Sequence, residues 1–220
     1  MSGMATTLTS RQIADAGLTG WVDLGDGLRT RFVTGDFATG LALVDSVGAA
    51  AEAAGHHPDL DLRYGHVDVR LVSHDAGGTT QRDVDLARTV TALAADAGLT
   101  PDGVRLARLE LVLDSPDHAG VLPFWKAFLG LADGPEGDDL EDPDGRLPYL
   151  WFQPSGGEEP RQRWHLDVWL DPSEVPSRLE AALAAGGTLV DDSSAPAYWV
   201  LADAEGNRSC LCTWHGRADT

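Results

Sequence analysis

Between Glu52 and His74 the chain places four of its seven histidines: His56, His57, His66 and His74. An imidazole has an unperturbed pKa of about 6.5, so several in one pocket can take and give protons near neutral pH. Glu52 lies four positions before His56 and could hydrogen-bond a histidine and set its tautomer. Asp83 supplies a second carboxylate further on. The same residues allow blander readings. A loop His-His-Pro is ordinarily solvent-exposed, and Asp83 could be no more than a helix cap. Three imidazoles also suggest zinc, but two adjacent histidines rarely ligate one ion. That favours proton transfer over ligation.

The elements that must hold these groups follow from periodicity. Phe37, Leu41, Val44 and Ala51 recur at helical spacing, Asp36 is a plausible N-cap and Gly55 a plausible end. His56, His57 and Pro58 then sit on the loop after the helix. Glu52 falls in its last turn, where a carboxylate opposes the helix dipole at a cost of a few tenths of a kcal/mol (roughly). Residues 59–64 and 66–74 alternate at period two. Val67, Val69 and Leu71 face one way; His66, Asp68, Arg70 and His74 face the other. Thr80-x-x-Asp83 resembles a capping box opening a second long helix. A helix end, a strand end and a helix start could thus converge on one pocket.

The whole chain narrows the classes. Its 220 residues can form one large or two small domains. A net charge of −19 repels phosphate backbones and anionic lipid, so nucleic-acid and membrane binding are not expected. No apolar run reaches the length of a membrane span, and the first residues lack an apolar signal segment. Cys210 and Cys212 stand two apart on one strand and cannot easily bridge each other. These features read as a cytoplasmic protein. The best seam is 97–103, where Gly98 closes a helix and Pro101 follows. Six of the seven tryptophans lie beyond it. Two domains are expected, 1–98 and 104–220.

The ordered series Glu52, His56-His57-Pro58, Tyr64, His74 and Arg82-Asp83 resembles the signature of pterin-4a-carbinolamine dehydratases. Gly20-Trp21 and Gly35-Asp36-Phe37 add to the likeness, which covers about residues 8–97. The resemblance implies an α+β fold: a four-stranded antiparallel sheet with helices on one face. It implies homodimers or homotetramers, and no metal or other cofactor. It implies dehydration of a 4a-hydroxytetrahydropterin to the quinonoid dihydropterin, with His56, His57, His74, Glu52 and Asp83 as catalytic candidates. Arg82 and Tyr64 become substrate-binding candidates. Which histidine is the acid and which the base stays open.

The second half reads as two copies of strand–helix–strands, headed by 105–114 and 163–171. With 114–125 and 201–212, this pattern resembles the glyoxalase/bleomycin-resistance superfamily over about residues 104–214. It implies paired βαβββ modules around a cavity for a small ligand that the sequence does not identify. Metal-using members take one ligand from each of four strands. The matching positions are Glu110 (or Arg108), Gln153, His165 and Cys210. Glutamine is a poor ligand and cysteine replaces the usual glutamate, so no metal is expected. Trp125, Trp151, Trp164, Trp169 and Trp199 read mostly as core, with one or two lining the cavity. The expected protein is therefore a pterin carbinolamine dehydratase joined to a glyoxalase-like module. The rival readings are a non-catalytic dimerisation or binding protein, and a metal-dependent lyase or dioxygenase acting through the second half.

Overall fold

In the computed structural model, which describes residues 6–155, 164–202, 206 and 208–216, period-two alternation builds the first sheet. Its strands are β1 (Val22–Asp23), β2 (Leu28–Val33), β3 (Asp59–Arg63) and β4 (His66–Leu71). They lie antiparallel in the order β1-β2-β4-β3. The register sets Leu28 opposite Leu71 and Phe32 opposite Val67. Leu28, Phe32, Val67, Val69 and Leu71 are all buried on one face. Each such side chain stabilises the fold by roughly 1.5–3 kcal/mol through removal from water. The other face is charged. Arg31 forms a bidentate pair with Asp68 across β2 and β4, and Arg70 reaches Asp59 on β3.

Helices cover only the apolar face. Helix α1 (Ser10–Asp15) is a short turn held by a Thr9/Gln12 capping box, which the sequence reading did not anticipate. Helix α2 (Phe37–Ala54) starts at Asp36 and stops at Gly55, whose φ of 60° is left-handed. Helix α3 (Gln81–Asp96) starts at Thr80. Leu43 and Val47 of α2 join Val84, Leu86, Ala87 and Val90 of α3 in the core.

The buried face of α2 differs from the expected one. Gly40, Leu43, Val47 and Ala51 are buried, whereas Phe37 and Leu41 are exposed. The helix is apolar nearly all round, so its 3.6-residue period does not choose a face. It also has the length and hydropathy of a membrane span. Asp45 and Glu52 break it up, so it contains no uninterrupted apolar run of that length. Here one side of α2 packs into the core instead.

The chain after α3 stays tied to the first sheet. Pro101 bridges to Phe32, the Asp102 amide donates to the Arg31 carbonyl, and the Gly103 amide donates to the Gly20 carbonyl. A Cβ at Gly103 would lie 2.8 Å from the Arg29 and Gly20 carbonyl oxygens, so the close approach requires glycine. By backbone proximity the first compact unit runs to Ala107 and takes in Leu170–Val175 and the stretch from Thr213.

The second unit, Arg108–Trp169 and Pro176–Cys212, is built from two βαβββ copies. The first comprises β5 (Ala107–Ser115), α4 (His118–Leu129), β6 (Ala132–Asp133), β7 (Asp139–Glu141) and β8 (Tyr149–Pro154). The second comprises β9 (Trp164–Leu170), α5 (Val175–Ala184), β10 (Thr188–Asp191), β11 (Tyr198–Ala202) and β12 (Arg208–Cys212). Together they make one mixed sheet, ordered β10-β11-β12-β9-β5-β8-β7-β6. Each copy pairs its first strand in parallel with its last, β5 with β8 and β9 with β12. Leu113, Leu140, Leu150 and Phe152 form a core with Trp125 and Trp164, whose rings meet edge-on at 5.0 Å.

Candidate functional site

His56 and His57 follow the left-handed Gly55, and the His56 amide still donates to the Ala51 carbonyl. Their backbone is therefore fixed to the last turn of α2. From there the two rings diverge. His56 is buried and its Nε2 lies 2.6 Å from Oδ1 of the fully buried Asp83. His57 is exposed and its Nε2 lies 3.1 Å from Glu52 Oε1. Glu52 thus meets His57, not the His56 that stands one turn away in sequence.

Asp83 serves two structures at once. Its Oδ2 accepts from the Thr80 amide at 2.7 Å, which closes the capping box of α3, and from the Thr80 hydroxyl at 3.2 Å. It also accepts from the Ser73 hydroxyl at 2.7 Å. An ionised carboxylate only accepts, so a carboxylate ringed by donors calls for a proton on His56 Nε2. Nδ1 of the neutral ring then carries the lone pair. Ser73 and Thr80 are site residues that the sequence reading missed. The only signal for either was Thr80 as a cap.

His74 is not on a strand. Strand β4 ends at Leu71, Ser73 bridges to Gly78, and His74 opens the exposed turn between them. Its neighbour Ser73 holds Asp83, which in turn holds His56, so His74 adjoins that network. The His74 turn is braced by Arg82, whose guanidinium donates to Asp75 at 2.5 Å. That hydrogen bond holds the Asp75 carboxyl below its ordinary pKa.

Tyr64 is elsewhere. Strands β3 and β4 form a hairpin whose open end carries His57 and His74. Tyr64 sits at the closed tip and is 78% exposed. At about 3.3 Å per residue, the six residues from Pro58 put it roughly 20 Å away. One copy of the chain does not bring Tyr64 to His56, His57 or His74.

In the second unit the positions expected to match a four-strand ligand set do not all converge. Glu110 is engaged by Arg108, which also lies over the Tyr149 ring. Along β5, Asp114 is the residue that reaches His165, with Oδ1 3.6 Å from Nδ1. Glu110 is four residues further back, about 13 Å by strand rise. Gln153 is exposed and pairs with Asp114 in register. His165 and Cys210 do come together, with Asp167 as a third member. One donor atom from each lies within 4.8 Å of the others.

Residues 6–93 match the family described as Pterin 4 alpha carbinolamine dehydratase, and residues 110–212 match the one described as Glyoxalase-like domain. A relative from Roseiflexus sp. (strain RS-1), provisionally named pterin-4-alpha-carbinolamine dehydratase, is 45% identical over 89 residues. That alignment covers 40% of this chain and 96% of the relative. A protein of the same name from Nocardia farcinica (strain IFM 10152) is 46% identical over 89 residues, 40% of this chain and 94% of its own. The crystal structure of a transcriptional coactivator/pterin dehydratase from Brucella melitensis is 30% identical. It covers 40% of this chain and 99% of its own, with a TM-score of 0.39. Through its first unit the chain belongs to the pterin 4 alpha carbinolamine dehydratase family.

Proposed function

We propose that the first unit dehydrates a 4a-hydroxytetrahydropterin by metal-free acid/base catalysis. The observation that carries the reading is the holding of two adjacent histidines by two carboxylates from different elements, His56 by Asp83 and His57 by Glu52. Elimination takes the proton from ring N5, forms the N5=C4a double bond, and breaks the C4a–O bond as the oxygen accepts a proton. Water and the quinonoid dihydropterin result. One group must accept a proton and another must donate one, and the imidazoles of His56, His57 and His74 are groups of the type that can do both. Asp83 and Glu52 orient the rings. Arg82 braces the turn that carries His74. Tyr64 is left outside the set. The exposed Phe37 and Leu41 on α2, with Val33 beside them in sequence, support assembly into a homodimer or homotetramer. The two cysteines, neither in a disulfide, fit the cytoplasm.

The test is a stopped-flow assay with a synthetic 4a-hydroxytetrahydropterin. The wild-type chain should accelerate dehydration, and His74→Ala should lose about a hundredfold or more of the rate. Exhaustive chelation should leave the rate unchanged. Wild-type turnover no faster than buffer would reject the reading.

A further inference from the structure

Asp23 ends β1 and is buried, yet the proposed chemistry makes no use of it. Its Oδ1 accepts from the Gly25 amide at 2.8 Å, and its Oδ2 accepts from the Thr79 hydroxyl at 3.2 Å. Thr79 stands immediately before Thr80, the cap of α3, and both are buried. Thr80 is extended, with φ −122° and ψ 178°. In extended backbone successive side chains point to opposite sides. Thr79 accordingly reaches back to Asp23, while Thr80 reaches Asp83 and Ser73. The two threonines thus lie between two buried carboxylates, one on β1 and one beside His56.

The peptide that joins them is held at both ends. On one side the Leu8 amide donates to the Thr79 carbonyl at 2.7 Å. On the other the Thr80 amide donates to Asp83 Oδ2, also at 2.7 Å. A peptide is planar, so its C=O and N–H turn together. A carbonyl that accepts polarises the N–H conjugated with it, which strengthens the next hydrogen bond in the chain. The run is continuous: Leu8 N–H to Thr79 C=O, Thr80 N–H to Asp83 Oδ2, and His56 Nε2–H to Asp83 Oδ1. The arm ahead of α1 also bridges Thr7 to Thr80. These upstream groups act on the imidazole through Asp83.

We infer that the Thr7–Leu8 arm and the Asp23–Thr79 pair are positioning residues for His56. They fix the plane of the Thr79–Thr80 peptide, which sets the direction of the Asp83 carboxylate and with it the His56 ring. A rotated plane would let Asp83 tilt, and His56 Nδ1, the atom with the lone pair, would lose its aim. Aim matters because a misplacement of about 1 Å can cost about a hundredfold in rate. Asp75, paired with Arg82, also acts on His56 through its charge, and the variants below leave that pair in place.

The experiment uses the full chain and two readouts. The first needs no substrate: the His56 Nε2–H proton, hydrogen-bonded to a buried carboxylate, should give a far-downfield proton NMR resonance, assigned by its loss in His56→Gln. The second is the pH–rate profile of dehydration with its kcat against KM split, and it alone rests on the dehydratase reading. Thr79→Val removes the hydroxyl at nearly constant shape, and Thr79→Ser keeps it. Leu8→Pro removes the amide donor, whereas Leu8→Ala removes only the side chain, which packs against the core. Thr79→Val and Leu8→Pro should each move the resonance upfield, displace the pH–rate profile and lower kcat about three- to tenfold with KM little changed. Thr79→Ser and Leu8→Ala should stay close to wild type. Far-ultraviolet circular dichroism checks each fold, and if Leu8→Pro does not fold, the Thr79 pair decides. A wild-type chain without the resonance, a folded Thr79→Val with the resonance unmoved, or a Thr79→Ser as impaired as Thr79→Val would overturn the inference. A wild-type chain with the resonance but no turnover would reject the dehydratase reading, and the resonance would still test the positioning.

Discussion

Asp83 has no exposed surface, and its carboxylate meets donors from a strand end, a helix start and a histidine. Replacing it with Asn would turn an amide N–H₂ toward groups that donate, leaving a buried donor facing a donor. We expect Asp83→Asn to destabilise the first unit by about 2–3 kcal/mol, read as a lower thermal midpoint. Ser73→Ala removes one donor and leaves the others. It should cost only about 1 kcal/mol of stability. Because Ser73 acts on His56 through Asp83, it should also displace the pH–rate profile of dehydration. An unchanged profile would make Ser73 purely structural. His57 is different: its partner Glu52 is largely exposed, so Glu52→Gln should alter stability little and report mainly on rate.

At the scale of an element, strand β8 shows how one half-buried phenol constrains a sheet. The Tyr149 hydroxyl donates to Asp139, which also accepts from the Glu136 and Gly137 amides. Burial first, then the hydrogen bond and charge of Asp139, raise the Tyr149 pKa above its ordinary value of 10.0. The folded phenol therefore keeps its proton where the unfolded one loses it. Below pH 10 or so both states are neutral and the group is silent. As pH climbs past that, the unfolded chain sheds a proton that the folded one retains, and stability falls. Unfolding midpoints measured between about pH 8 and 11 should show this alkaline decline, and Tyr149→Phe should flatten it. Tyr149→Phe will also lower stability at neutral pH by about 1–3 kcal/mol, because Asp139 is left buried without one donor.

For the whole molecule, the path of 101–103 decides where the first unit can be cut. Truncation at Gly98 removes the Phe32–Pro101 bridge and two backbone hydrogen bonds, one to Arg31 of β2 and one to Gly20 just before β1. A fragment ending at Ala107 keeps them. We propose two units that can be separated, with residues 1–107 unfolding at a higher denaturant concentration than residues 1–98, by about 1–3 kcal/mol in stability. Equal midpoints would show that the 101–103 contacts contribute nothing. If neither fragment folds, Leu170–Val175 and the stretch from Thr213 are needed to complete the first unit.

Much of this protein was legible in one dimension. Alternation of Val67, Val69 and Leu71 determined a strand and its buried face, Asp36 and Gly55 bounded α2, and Thr80 with Asp83 opened α3. The repeated strand–helix–strands order foreshadowed the paired βαβββ copies, though the short strands β6, β7 and β10 carried too little pattern to be read. These signals are local: they arise from side-chain period and capping within a few residues. Tertiary structure decided what depends on register between distant segments. It gave Glu52 to His57 and Asp83 to His56, turned Leu43 and Val47 inward while leaving Phe37 and Leu41 outside, and put His74 in a turn. It also took Tyr64 to the far tip of its hairpin and chose Asp114 and Asp167, not Glu110, as the neighbours of His165. A carboxylate four residues from a histidine in sequence does not know which ring it will meet. That is settled by where the backbone goes after Gly55 and by which strand it lies against.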